Sequence, residues 1–225
     1  MRMSRCWAIW AACVLLCARQ TLAISNGDFG AGLTGWNTDA NLSYGPVSVV
    51  AGQAVLDEDA VLLATTLAQE FVIPAGAQSL SFYLSGSSQV VDSNAVSFPD
   101  AFQALLLDPI TGVPILSTDP PPSPFKEFFY IDVSGPGSVV YDPSLLTITG
   151  QILTLDLMSV PGGTPALLRF ELLGSEDGRQ TQVIVDDVEL SVIPEPVGLI
   201  CLPLAMAGLA AYIRRRRRST WPGTE

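Results

Sequence analysis

Histidine is absent from this chain, and cysteine is absent from its middle: the four cysteines are Cys6, Cys13, Cys17 and Cys201. The first absence excludes an imidazole general base, a Ser-His-Asp triad and His-ligated zinc. The second excludes disulfides, thiolate catalysis and a cysteine-held metal between Ile24 and Val192. Positive charge is nearly as scarce there. Of the 11 Lys and Arg, only Lys126, Arg169 and Arg179 lie between Ile24 and Ile193, against 22 Asp and Glu in the whole chain. Phosphate binding requires clustered Lys and Arg, so no nucleic acid partner is expected. What remains is an acidic body of about 170 residues, long enough to bury one real core without disulfides.

The two ends carry the missing positive charge. Arg2 and Arg5 precede an apolar run from Cys6 to Cys17, and Thr21-Leu22-Ala23 offers small residues around a cleavage point. That order predicts a secretory signal peptide over residues 1–23, cut after Ala23, with signal peptidase and the export machinery as its partners. At the other end, Pro194-Glu195-Pro196 is stiff and extended, because each proline fixes its own φ and disfavours helix in the residue before it. Residues 197–213 are apolar throughout, about the shortest stretch that crosses a bilayer as a helix. Arg214, Arg215, Arg216, Arg217 and Arg218 follow at once. Bases beside a span stay cytoplasmic, which places the body outside.

The order of Pro-Glu-Pro, apolar span and arginine cluster resembles the PEP-CTERM sorting signal of Gram-negative bacteria that make exopolysaccharide and biofilm. The resemblance covers about the last thirty residues, 193–225, and departs from the pattern in the extra Ser219 to Glu225 beyond the arginines. It implies that an exosortase, a membrane-embedded Cys/His transpeptidase-like enzyme, recognises Pro194, Glu195, Pro196 and the arginines and cuts near the tripeptide. The expected course is a precursor anchored in the inner membrane through its C-terminal helix, then a protein at the cell surface or in the extracellular matrix.

Residues 24–192 read as strands. The segments around Leu67 to Pro74, Gln78 to Gly86, Ala101 to Pro109, Phe125 to Val133, Gln151 to Val160, Ala166 to Gly174 and Thr181 to Ile193 are short apolar runs separated by Gly, Pro and Asp turns. Leu80, Phe82 and Leu84 alternate onto one face, whereas Ile152 to Met158 alternates less and reads as more fully buried. Leu56 to Ala68 is mostly apolar and reads as strand or loop in preference to helix. The pattern predicts an all-β antiparallel sandwich rather than βαβ units, flanked by the signal helix and the C-terminal helix.

The opening Ser25-Asn26-Gly27-Asp28-Phe29 through Gly35-Trp36, and the closing Val183 to Val192, are similar to the first loop and last strand of galactose-binding-like jelly rolls, many of them carbohydrate-binding modules. The resemblance covers most of the body. It implies a two-sheet jelly roll whose ends lie close together, with Trp36 packed in the core. It also implies a structural Ca²⁺ where the first loop meets the last strand. Asp187 matches the usual ligand. Gly30 stands where Glu is common, leaving Asp28 to compensate, and an Asp-capped turn is the plain alternative.

Two functional readings follow. The first is a non-catalytic surface or biofilm-matrix protein, not an enzyme, whose body binds exopolysaccharide, with Phe128 or Tyr130 as the best candidates for an exposed aromatic patch. The second is an extracellular polysaccharide hydrolase using paired carboxylates, which must stand about 5 to 10 Å apart across a sugar. Asp57-Glu58-Asp59 and Glu176-Asp177 are the densest acidic runs and read as solvated loops.

Overall fold

The computed structural model describes residues 24–38, 47–58, 64–85, 100–116, 127–132, 139–174 and 181–193. The leader, the Pro-Glu-Pro tripeptide, the apolar span 197–213 and the arginine run lie outside the described residues. The chain divides into two compact units, Met1–Val192 and Ile193–Glu225, and the first holds all the strands described. Among the described residues there is no helix, and so none long and apolar enough to cross a membrane.

Two antiparallel sheets form the body. One runs β1 (Val47–Val50), β2 (Gln53–Asp57), β12 (Gln182–Val192), β4 (Ala77–Ser85), β10 (Ile152–Asp156), β9 (Leu146–Thr149). The other runs β3 (Ala64–Val72), β11 (Pro165–Leu173), β5 (Ala101–Leu107), β7 (Glu127–Asp132), β8 (Val139–Tyr141), with β6 (Pro114–Leu116) also paired to β5. The expected antiparallel sandwich is what the chain forms. In each sheet a late strand is inserted between early ones: β12 lies between β2 and β4, and β11 between β3 and β5.

Alternation decides what each strand buries. From β4, Leu80, Phe82 and Leu84 enter the core; from β12, Val183 and Val185; from β11, Ala166, Leu168, Phe170 and Leu172; from β5, Phe102, Ala104 and Leu106. Phe170 is the hub. Its ring lies 5.0 Å from Phe82 of the facing sheet, 6.2 Å from Phe102 and 6.1 Å from Trp36. Trp36 is buried as expected, and its indole N–H donates to the Asn26 carbonyl at 3.0 Å.

The N-terminal segment 24–38 is tied on by one buried side chain. Gln69 accepts from the Ser25 amide at 2.8 Å and donates to the Ser25 carbonyl at 3.0 Å and the Gly35 carbonyl at 2.9 Å. Asn37 adds a bridge to Ala68. The two ends of the body do meet: the Val188 amide donates to the Gly27 carbonyl at 3.0 Å. Gly27 has no choice of side chain there, because a Cβ would overlap the Val188 carbonyl.

Three expectations needed correction. Phe128 is fully buried, 6.3 Å from Phe82, and is not a surface patch. The cause is an irregularity in β7, where Ala104 pairs with Phe129 but Leu105 pairs with Glu127. The extra residue breaks period-two alternation, so Phe128 and Phe129 both join the core. Strand β10 is not fully buried: it alternates, with Leu153 and Leu155 inside and Ile152 half exposed, and Met158 lies beyond its end. Glu58 is buried rather than solvated. It accepts from the Thr181 amide at 3.0 Å, and the Thr181 hydroxyl donates to buried Asp100. Neighbouring Asp57 accepts from Gln182 at 2.7 Å. Asp59, Glu176 and Asp177 lie outside the described residues.

The turn after β5 makes a pH prediction. The Asp108 carboxylate accepts from the Thr111 amide at 2.7 Å, the Ile110 amide at 2.9 Å and the Thr111 hydroxyl at 3.0 Å. These donors, the Thr111 amide foremost, hold its pKa below the ordinary 3.8. The unfolded chain therefore binds this proton more readily than the folded one. The stabilisation is complete above the ordinary carboxylate range and disappears as pH falls through the lowered value. Asp108→Asn should be less stable than the parent at pH 6, with the gap narrowing in denaturant titrations carried down to pH 2.

Candidate functional site

The groove of interest lies on the outer face of the β12–β4–β10 sheet. Outward positions on β4 are Ser79, Ser81, Tyr83 and Ser85, the complement of the buried leucines and Phe82. Register sets Ile152 of β10 directly across from Tyr83, and Asp186 of β12 across from it on the other side. The Tyr83 hydroxyl donates to the Gln151 carboxamide at 2.6 Å, which fixes the ring over the sheet. Tyr83 is half-buried and Ile152 half-exposed, so the two make an apolar floor that water reaches.

One wall is built by a defect in β12. Pairing with β4 jumps from Asp186–Tyr83 to Glu189–Ser81, so Asp187 and Val188 together oppose a single residue. Asp187 takes φ 49°, a left-handed conformation that Asp tolerates better than most side chains. The Asp186 carboxylate holds the kink, accepting from the Asp187 amide at 2.8 Å and from Gln53 at 3.0 Å. Bulges of this kind re-aim side chains next to functional sites. Asp187 and Glu189 both come out exposed. The loop of Gly27 and Asp28 docks against the same bulge. The resulting open groove of about 520 Å³ is lined by Asp28, by Ser81, Phe82 and Tyr83, by Ile152, and by Asp187, Val188 and Glu189.

Asp28 and Asp187, expected as calcium ligands, thus line one groove. Calcium takes six to eight oxygens, backbone carbonyls among them, and Asp28 and Asp187 bring one carboxylate each. Among the described residues no three Asp, Glu, His or Cys side chains are grouped to hold a metal. The Asp28 carboxylate accepts from the Gly30 amide at 3.2 Å, a capped turn. Tyr130 is half-buried on the outer face of the second sheet, across from Gln103 and Val140. Pro194, Glu195, Pro196 and Arg214 to Arg218 lie outside the described residues.

Sequence reading did not single out Tyr83, Ile152 or Glu189. The alternation in β4 places Tyr83 outward once its leucines are inward, but no local signal brings Ile152, 69 residues later, to its side. The paired Asp186-Asp187, which interrupts the apolar Val183 to Val185 run, was the one readable hint of the bulge.

No family model matches the chain, and no curated protein does either. Solved structures with a similar chain path include one described as "CBM4 structure and function", 14% identical, covering 73% of this chain and 99% of that one with a TM-score of 0.39. A second is TmCBM61 in complex with β-1,4-galactotriose, 13% identical, covering 76% and 99%, with a TM-score of 0.40. A third is a sialidase, 17% identical, covering 78% of this chain and 19% of that one, with a TM-score of 0.44. At these values the similarity assigns no activity.

Proposed function

We propose that this chain is an exported, non-catalytic surface or matrix protein whose sandwich binds extracellular polysaccharide in the Tyr83 groove. The observation that carries the reading is the groove itself. A tethered aromatic and a half-exposed aliphatic side chain form its floor, and a hydroxyl and three carboxylates border it. A pyranose presents just these needs: an apolar face of C–H groups to lie on an aromatic ring, and hydroxyls that donate to carboxylates. The proposed route to the surface is export by the leader, a hold in the inner membrane by residues 197–213, and cleavage near Pro194 to Pro196 by an exosortase. The sequence of the tail supports that route.

The test is retention of the full chain, in mild detergent, on extracellular polysaccharide of a biofilm-forming Gram-negative bacterium. Tyr83→Ala should weaken retention about tenfold or more, the scale of losing a central aromatic contact. Retention equal to that of the parent chain would remove the groove from the account. Mass spectrometry of the protein recovered from such cells should give a C-terminus near Pro194 to Pro196, and an intact arginine tail would contradict the processing.

A second reading has one observation in its favour: Asp28, Asp187 and Glu189 border the same groove, and glycoside hydrolysis needs two carboxylates across a sugar. Release of reducing ends by the wild type, abolished in Asp187→Asn, would make the protein a hydrolase.

A further inference from the structure

Charge around the groove narrows the glycan it can take, and this step rests on the groove reading above. Asp28, Asp187 and Glu189 line it, and two more carboxylates stand on the same sheet face: Asp186 beside Tyr83, and Asp156 two residues beyond Thr154 on β10. Among the described residues no base offsets them. Arg169 is the only Lys or Arg among the described residues, and it sits on β11 in the other sheet, ion-paired with Glu171. The body as a whole is acidic, so its field reinforces the local sign rather than cancelling it.

A uronate or sulfated glycan would bring its own negative charges against at least three carboxylates, with no cation among the described residues to meet them. A neutral glycan suffers no such repulsion. A glycan with free amines gains charge-assisted hydrogen bonds from each ammonium that reaches the rim. We infer that the groove selects by charge, taking amine-bearing glycans such as partially deacetylated poly-N-acetylglucosamine most tightly, neutral glycans less so, and polyuronates not at all.

The experiment compares retention of the full chain on three polymers: partially deacetylated chitin, fully acetylated chitin and polygalacturonate. The wild type should bind the first most tightly. Its advantage over the second should vanish in 1 M salt, where screening acts within about 3 Å. The double variant Asp187→Asn with Glu189→Gln should weaken the amine polymer about fivefold to tenfold, the scale of two exposed ion pairs. It should weaken the neutral polymer by a smaller factor than the amine polymer, since the carboxamide oxygens still accept from sugar hydroxyls but the attraction to ammonium is gone. A control double variant, Glu70→Gln with Asp108→Asn, removes two charges from the other sheet and its turn. It should bind all three polymers as the wild type does.

Equal weakening by the two double variants would mean that the overall charge of the body, not the groove, attracts the amine polymer, and would overturn the inference. Tightest retention of polygalacturonate, or equal retention of all three, would overturn it too while leaving glycan binding intact. No retention of any polymer would remove the groove reading itself.

Discussion

Replacing Phe170 by alanine is expected to cost about 3 to 5 kcal/mol, enough to remove a fifth or more of the roughly 5 to 15 kcal/mol of an ordinary domain. Phe170 has no solvent exposure, and its ring is within 6.2 Å of three others drawn from three different parts of the chain. Phe102 belongs to the neighbouring strand, Phe82 to the facing sheet, and Trp36 to the N-terminal segment. Truncation therefore loses the transfer free energy of the ring and three aromatic pairings at once. It also opens a void whose walls are held by two separate sheets, which cannot easily collapse into it. Denaturant unfolding measures the loss. A cost below about 1.5 kcal/mol, the range of volume-conserving swaps, would mean that the two sheets are not packed through this ring.

The second large effect belongs to Gly27. An alanine there would place its Cβ against the Val188 carbonyl oxygen, with the Val188 carbonyl carbon at 2.8 Å, and both are backbone atoms that cannot swing aside. Either the bulge in β12 or the N-terminal loop must move. Moving the loop breaks the Val188–Gly27 hydrogen bond, worth about 1 kcal/mol. It also pulls on Phe29, which is fully buried 5.2 Å from Trp36. We expect Gly27→Ala to destabilise by about 2 to 4 kcal/mol in total, at or above the top of the usual range for a single substitution. Because Asp28 is the next residue and borders the groove, the same change should weaken glycan retention under conditions where the variant is still folded. Stability within 0.5 kcal/mol of the parent, a surface-like effect, would show that loop and bulge are not in contact.

These two positions also show how far the sequence could be read. Phe170 lies on a strand whose Ala166, Leu168, Phe170 and Leu172 share the core face, and the long strands β3, β4, β5, β11 and β12 were legible as apolar runs bounded by turn residues, with clear alternation in β4. Gly27 was legible through likeness alone, in the opening motif that implied a meeting with the last strand. Short edge strands were not legible. Residues 139–141 and 114–116 span three residues each, too few for any period to show, and Val139 to Tyr141 are all exposed. The hairpin of β1 and β2 turns on Ala51 and Gly52, both at positive φ, and Ala is an unusual choice for that geometry. Phe128 was misplaced because a bulge shifts the phase of β7, and no residue type announces it. The groove was hidden for a different reason. It depends on register between strands distant in sequence, and on an Asp that leaves the strand conformation at one residue.

The central claim is that glycan occupies the outer face of the β12–β4–β10 sheet. Hydrogen–deuterium exchange of the full chain, with and without soluble oligosaccharides cut from the polymer that retains it, tests this most directly. Slowed exchange in peptides covering residues 81–83 and 187–189 is the predicted result, with β3 and β5 of the other sheet unchanged. Protection confined to the other sheet, or none at saturating oligosaccharide, would contradict it.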